Sequence, residues 1–297
     1  MPSAKTPKAD IDDLLRYGVV CIDKPCGPSS HEVAAFVRNI LHLKRTGHTG
    51  TLDQNVSGVL VVLLEDSCKM SHYLMGSRKK YECVMRTEKP VAGDVLEDAF
   101  SHFRGRIFQT PPLASAVAKK LRVREVYRLD VLEADGRLVL FECETEAGTY
   151  IRKIVSDAGE VLGVRTEMAE LRRTAASTFS EGDAVTLQQL TDYFWLWKER
   201  GDASKLGKTV HSVDEVVGKA MKKAVLKEGA MKKALNGVKP LAEDFISIDI
   251  EAQAGEAVAA FDADGALRCV LQMKFGASEL GKRKGEAAAD VQRVLRP

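Results

Sequence analysis

Thr46-Gly47-His48-Thr49-Gly50-Thr51-Leu52-Asp53 sits a few residues ahead of the apolar run Val59-Leu60-Val61-Val62-Leu63-Leu64. Glycine is the usual residue where backbone bends sharply or approaches a ligand closely. A carboxylate at the end of such a loop, anchored by a buried strand, can be aimed at a substrate with little freedom to wander. The same residues also read as a surface loop with a capping aspartate. Two further blocks of sequence decide between these readings.

The first precedes the loop. Gly18-Val19-Val20-Cys21-Ile22-Asp23-Lys24-Pro25 reads as a strand running from Tyr17 to Asp23 and ending at the proline. After the Gly27-Pro28 turn, Ser30 is expected to cap a helix carrying Val33, Phe36, Val37, Ile40 and Leu41 at helical spacing. Lys24 is either a strand-end surface lysine or a point charge for phosphate. The second block is Ala147-Gly148-Thr149-Tyr150-Ile151-Arg152, leading a helix over 150–162. An arginine in a first helical turn meets the unfavourable end of the helix dipole, so it calls for a carboxylate partner. Asp53 is the natural candidate.

Other elements follow from pattern. Residues 81–87 alternate as a strand with Tyr81, Cys83 and Met85 on one face. Residues 126–133 and 138–145 form a hairpin around Asp135-Gly136. Helices are expected over 69–75 and 187–198. Small and polar residues gather between Arg200 and Lys208, which marks a boundary. Beyond it the sequence predicts a helix with Lys-Lys pairs, then short strands near 245–250, 257–261 and 267–273. Strands and helices without regular alternation indicate an α+β architecture.

The 297 residues suffice for one large domain and a small one, and 45% hydrophobic with 29% charged residues is ordinary globular composition. No apolar run approaches the roughly 20 residues of a membrane span, and the polar start lacks a secretory signal, so an intracellular protein without membrane attachment is expected. The six cysteines lack zinc-site spacing and read as free thiols. Net charge is only +2, but basic residues cluster at Arg78-Lys79-Lys80, Lys119-Lys120-Leu121-Arg122-Val123-Arg124, Arg172-Arg173 and Lys282-Arg283-Lys284. Such clusters neutralise phosphates where folding gathers them on one face.

The three blocks, in this order, resemble the TruB family of pseudouridine synthases. The family's lysine-proline block matches Lys24-Pro25, its G-H-x-G-T-L-D block Gly47 to Asp53, and its G-T-Y-I-R block Gly148 to Arg152. Lys80-Tyr81 is similar to its tyrosine strand and Leu171-Arg172-Arg173 to its L-R-R segment. Residues 108–117 and Leu121-Arg122-Val123-Arg124-Glu125-Val126-Tyr127 resemble the dyskerin branch of archaea and eukaryotes. Lys284 to Val294 resembles the end of that branch's PUA domain.

The resemblance implies a pseudouridine synthase fold over residues 1–207, with a mixed, mainly antiparallel central sheet flanked by helices. A small β-rich PUA domain would follow over 208–297, with the N-terminal segment to about residue 15 packing on it. Asp53 would be the catalytic carboxylate. Tyr81 would stack on the target base and assist proton removal, and Arg152 would pair with Asp53. Leu171 would line the pocket, while Lys24, His48, Lys80 and Arg172 would hold RNA or the loop. Taken alone, Tyr81 is a core aromatic of its strand, Arg152 a surface residue of its helix, and His48 a loop residue bonded to its own backbone.

Isomerising uridine exchanges the C1′–N1 bond for a C1′–C5 bond without redox or hydrolysis, so neither a cofactor nor a metal is expected. The carboxylate acts as nucleophile or stabilises positive charge on the sugar, and the base must leave its stack to reach it. The dyskerin-like segments imply the catalytic subunit of an H/ACA ribonucleoprotein. Its partners would be guide RNA, target RNA, and Gar-type, Nop-type and kink-turn-binding proteins. It would work in the cytoplasm of an archaeon or the nucleus and nucleolus of a eukaryote. A stand-alone tRNA T-loop synthase and a non-catalytic scaffold are the alternatives. Two departures stand out: Gln54 where the family usually has proline, and Ala242-Glu243-Asp244-Phe245 where its PUA domain usually turns on proline-glycine.

Overall fold

The computed structural model describes residues 10–111 and 118–296. Residues 1–9 of the N-terminal segment and 112–117 of the dyskerin-like segment lie outside the described residues. Two sheets organise the chain. The larger runs in the order Val210–Ser212, Gly18–Lys24, Ser57–Leu64, Thr166–Ala176, Lys79–Thr87, Leu138–Thr145, Arg122–Asp135, Gly105–Gln109. Thr46–His48 adds to Ser57–Leu64, and Phe179–Ser180 to Thr166–Ala176. The ordered pairs along it are antiparallel except one. Ser57–Leu64 meets Thr166–Ala176 in parallel, through Ser57 opposite Arg172 and Gly58 opposite Arg173. That short parallel joint divides the sheet into two halves, and the Asp53 loop hangs from it.

The apolar runs Val19-Val20-Cys21-Ile22 and Val59 to Leu64 lack polar alternation because both faces of the first half are covered. Val20, Ile22, Leu60, Val62 and Leu64 pack on the helices Ser30–Ile40 and Leu187–Arg200. Val19, Cys21, Val59, Val61 and Leu63 face the other way, towards Val216, Val217, Phe261, Leu267 and Val270. Those last three belong to the smaller sheet, ordered Phe245–Ile248, Lys223–Leu226, Ala257–Phe261, Leu267–Met273, Ala289–Val294. The second half of the large sheet has its own core. There Tyr81, Cys83, Met85, Phe141 and Cys143 pack with Phe100, Ile151 and Ile154 from the helices Gly93–Ser101 and Ile151–Leu162. The α+β architecture expected from the sequence is the observed one.

Several local expectations need correction. Residues 11–17 form a helix, so Tyr17 ends a helix and the strand begins at Gly18. Ile11, Leu14 and Leu15 have helical spacing, but about two turns leave too little periodicity to read. Ser29, not Ser30, caps the next helix: its Oγ accepts from the Glu32 N–H at 3.2 Å, and Glu32 Oε2 accepts from the Ser29 N–H at 2.7 Å. Lys223 opens a strand beside Ala257–Phe261 rather than continuing a helix, because the helix Val213–Ala220 ends before it. The strand Thr166–Ala176 has no simple alternation to betray it, since most of its residues are half-buried and its buried interior position is taken by Arg173 in place of an apolar side chain. No helix among the described residues is long and apolar enough to cross a membrane.

Gly58 holds the parallel joint. Its φ is 101°, and an added Cβ would lie 2.2 Å from the carbonyl oxygen of Arg173. Both the backbone conformation and the space demand glycine. Gly58→Ala should destabilise the protein by about 2–4 kcal/mol, the sum of strain and overpacking, measured as a lower urea midpoint at unchanged slope. A midpoint equal to that of the parent chain would show that the joint is slack.

Candidate active site

The loop between Thr46 and Val56 is fixed carbonyl by carbonyl. Arg173 Nη2 donates to Gly50 O at 3.2 Å, and its Nε donates to Val59 O at 2.8 Å. Ser30 Oγ donates to Leu52 O at 3.1 Å and accepts from the Leu52 N–H at 2.8 Å. Lys24 Nζ donates to Gln54 O at 3.4 Å and to Val56 O at 2.7 Å, and the Gly27 N–H also donates to Gln54 O, at 2.8 Å. A last turn closes from the Val56 N–H to Asp53 O at 3.1 Å. Gln54 follows Asp53 at the position of that turn where proline is favoured. The glutamine therefore costs some rigidity, and the bonds from Lys24 and Gly27 to its carbonyl replace it.

With its backbone held, Asp53 projects its side chain outward, 60% exposed. Arg152 Nη2 donates to Asp53 Oδ2 at 2.6 Å. Arg152 stands in the first turn of the helix Ile151–Leu162, and Tyr150 caps that helix. The buried Gln109 fixes the helix start: its Nε2 donates to Tyr150 O at 3.2 Å and its Oε1 accepts from the Tyr150 N–H at 3.0 Å. The carboxylate thus faces a guanidinium carried on the first turn of that helix. Exposed pairs of this kind contribute about 0–1 kcal/mol to stability. This one orients the carboxylate more than it holds the fold.

Tyr81 lies beside this pair on the strand Lys79–Thr87, only 9% exposed. Burial first, and the nearby Asp53 charge also, raise its hydroxyl above the ordinary tyrosine value, against the opposing influence of Arg173. The phenol therefore remains protonated. Leu171 is half-buried two strand positions before Arg173, packed against the cluster that contains Leu52 and Tyr81.

Four residues were expected to hold RNA or the loop, and the structure places them as follows. Lys24 is fully buried beneath the loop with its ammonium spent on carbonyls, including Pro25 O at 2.9 Å, so it holds the loop and not phosphate. Arg172 pairs with Asp23 at 3.0 Å and with Glu181, on the face of its strand opposite Arg173. Lys80 points to Glu144 at 3.8 Å. The ring nitrogens of His48 are buried and have no hydrogen-bond partner among the described residues, so the ring does not bond its own loop. It meets His31 edge-to-face at 4.8 Å, and burial, then His31 and Arg173, push it down to about 4, leaving it neutral.

The residues that sequence reasoning missed are Ser30, Lys79, Gln109 and Arg173. Lys79, not Lys80, shares the inward face with Tyr81, since side chains alternate along a strand. Its Nζ donates to Met75 O and Ser77 O, each at 2.6 Å. Arg173 is 2% exposed. Doubled Lys79-Lys80 and Arg172-Arg173 are the available signal: in a strand, one member of each pair must face inward.

Residues 38–151 match the TruB family pseudouridylate synthase N-terminal domain, 152–218 the tRNA pseudouridylate synthase B C-terminal domain, and 5–34 the DKCLD domain. The probable tRNA pseudouridine synthase B of Archaeoglobus fulgidus is 41% identical over 97% of this chain and 88% of its own. That of Pyrobaculum aerophilum is also 41% identical, over 96% and 85%. The crystal structure of a Cbf5-Nop10-Gar1 complex superposes with a TM-score of 0.93 at 35% identity, covering 100% of this chain and 91% of that one. An H/ACA RNP bound to a substrate RNA containing 2′-deoxyuridine gives 0.90 at 32% identity, over 99% and 92%. Similarity on this scale runs through the Asp53 loop, the helix that carries Arg152 and both sheets, and the chain belongs to the TruB family of pseudouridylate synthases.

Proposed function

We propose that the chain is the catalytic subunit of an H/ACA ribonucleoprotein, converting uridine to pseudouridine in RNA that a guide strand selects. The observation that carries the catalytic part is the Asp53–Arg152 pair: one exposed carboxylate on an immobilised loop, held by a guanidinium from another element. The likeness to chains solved with Nop10, Gar1 and substrate RNA supports the guided part. In this reading guide RNA, target RNA and small accessory proteins of those kinds are its partners. An intracellular setting goes with such work, and for an archaeal source like the relatives named above it is the cytoplasm.

Asp53 engages C1′ of a flipped-out uridine as nucleophile or as the anion that stabilises positive charge there. The electron pair of the broken C1′–N1 bond leaves with the uracil. After the ring turns, C5 bonds to C1′, displacing the Asp53 carboxylate with its electron pair where it had bonded there, the C5 proton departs to solvent and N1 takes one up. Nothing is oxidised or reduced. Tyr81, protonated and largely buried, serves as platform and hydrogen-bond donor rather than as base. Leu171 lines the pocket beside it. Lys24 acts through the loop. Residues 1–207 form the catalytic unit and 208–297 a PUA-type RNA-binding unit, although the strand Val210–Ser212 still pairs with Gly18–Lys24 of the large sheet.

The names of the curated relatives favour a second reading, modification of tRNA without a guide. Reconstitution with guide and target, with target alone and with bare tRNA separates the readings. Product on bare tRNA alone would replace guided modification by the second, and guide binding without product anywhere would leave a scaffold.

Asp53→Ala should lower pseudouridine formation at least ~10³-fold while changing guide-RNA affinity less than about twofold, since the side chain lies outside the core. Single-turnover product at the parent rate would remove Asp53 from the chemistry. Arg152→Met should lower kcat about 10²-fold through loss of aim and leave the unfolding midpoint nearly unchanged, with Arg152→Lys recovering only part because it lacks the planar fork. An Arg152→Met enzyme of full activity would make the pair incidental.

A further inference from the structure

Three cationic side chains converge beneath the Asp53 loop: Lys24, Lys79 and Arg173, all buried. They donate to carbonyl oxygens, of residues 25, 54 and 56 for Lys24, 75 and 77 for Lys79, and 50 and 59 for Arg173, and Arg173 also bonds the side chain of Tyr81. Among the described residues none of the three joins an ion pair. A side chain built on Gly50 would touch both Arg173 Nη1, at 3.6 Å, and Lys79 Cε, at 3.7 Å, so the two cations lie side by side three residues from Asp53. Arg173 acts on Lys24, Lys79, His48 and Tyr81 alike, and Asp53 is the carboxylate that acts on Lys24 and Tyr81.

Satisfying carbonyls does not require charge. A neutral amide donor does the same without the penalty of a buried, unpaired cation. The accumulated charge therefore exceeds what the loop's hydrogen bonds need. In a site partly shielded from water, fixed positive charge acts strongly on any anion that forms above it. Heterolysis of the C1′–N1 bond produces such an anion on the uracil.

We propose that Lys79 and Arg173, with Lys24 behind them, form a fixed cationic floor that stabilises the negative charge left on uracil as its bond to C1′ breaks. The proposal rests on the isomerase reading above. Lys79 and Arg173 are positioning residues here, acting through the field they impose. Lys79 is the member that titrates: burial, then Arg173, bring its ammonium down to about 8. It is charged below that pH and neutral above it, so the floor weakens as pH rises through 8. Arg173 on the neighbouring strand is the charge that acts on it; the other titratable groups on the elements around it are the neutral His48 and Asp53 on the loop, the exposed His72 of the short helix Ser71–Met75, and Glu144, whose carboxylate goes to Arg78 and Lys80.

The test is kcat and KM for pseudouridine formation between about pH 6 and pH 9.5, on the assembled particle with guide and target RNA and in parallel on bare tRNA. The parent enzyme should show an alkaline fall in kcat near pH 8. Lys79→Arg should keep activity and move that fall upward. Lys79→Met should lower kcat about 10–100-fold at pH 7, change KM less than about threefold and abolish the limb. If Lys79→Met does not fold, Lys79→Arg carries the test. A limb that stays at pH 8 in Lys79→Arg, or a folded Lys79→Met with parental kcat and profile, overturns the proposal alone. A parent protein inert on every RNA overturns the isomerase reading and the proposal with it.

Discussion

The guanidinium of Arg173, buried among carbonyl oxygens, ties together the three parts on which the site depends. Its own strand supplies one side of the parallel joint, Val59 O belongs to the other, and Gly50 O belongs to the loop. Burying a charge is costly, and hydrogen bonds from a charged donor return about 1.5–3 kcal/mol each. The arrangement is stable only because backbone approaches backbone so closely at Gly58 that both carbonyls come within reach of one side chain. The loop is rigid for the same reason. The carbonyls of Gly50, Leu52, Gln54 and Val56 are bound by side chains of the core.

Rigidity of the backbone lets an exposed side chain be useful. Asp53 and Arg152 are both about half in solvent, and a pair like that contributes little to folding. It defines a direction. Loop and helix start are each fixed independently, one by Lys24, Ser30 and Arg173, the other by Gln109. The two side chains meet across 99 residues of sequence because both anchors are buried. The conformational entropy of aiming the carboxylate is spent during folding, before any substrate arrives.

Much of the site was legible before the fold was known. Asp53, Tyr81 and Arg152 stand in blocks whose composition serves a tight loop, a half-buried strand and a helix start. Apolar runs at 19–22 and 59–64 announced strands, the second of them buried. Less legible were elements whose inward residues are polar. Thr166–Ala176 buries Arg173 where a strand usually buries valine, and Lys79–Thr87 begins with a buried lysine. Patterns of hydrophobicity cannot reveal a core position filled by charge. The helix Ile11–Tyr17 was hidden by brevity, and the cap at Ser29 by the adjacent Ser30, whose hydroxyl went to Leu52 instead.

The sequence by itself determined the architecture and the order of the blocks, because these rest on local periodicity, turn chemistry and residue type, and its likeness to a family singled out Asp53 as the carboxylate to propose. Only the tertiary structure decided which charges face the solvent and which lie beneath the loop. Lys24 and Arg173 went inside, while Arg172 and Lys80 turned outward to Asp23 and Glu144. Neighbouring basic residues have the same charge and nearly the same propensity. What separates them is the parity of a strand and the depth of the backbone carbonyls around it, and both are fixed by contacts between segments far apart in the chain.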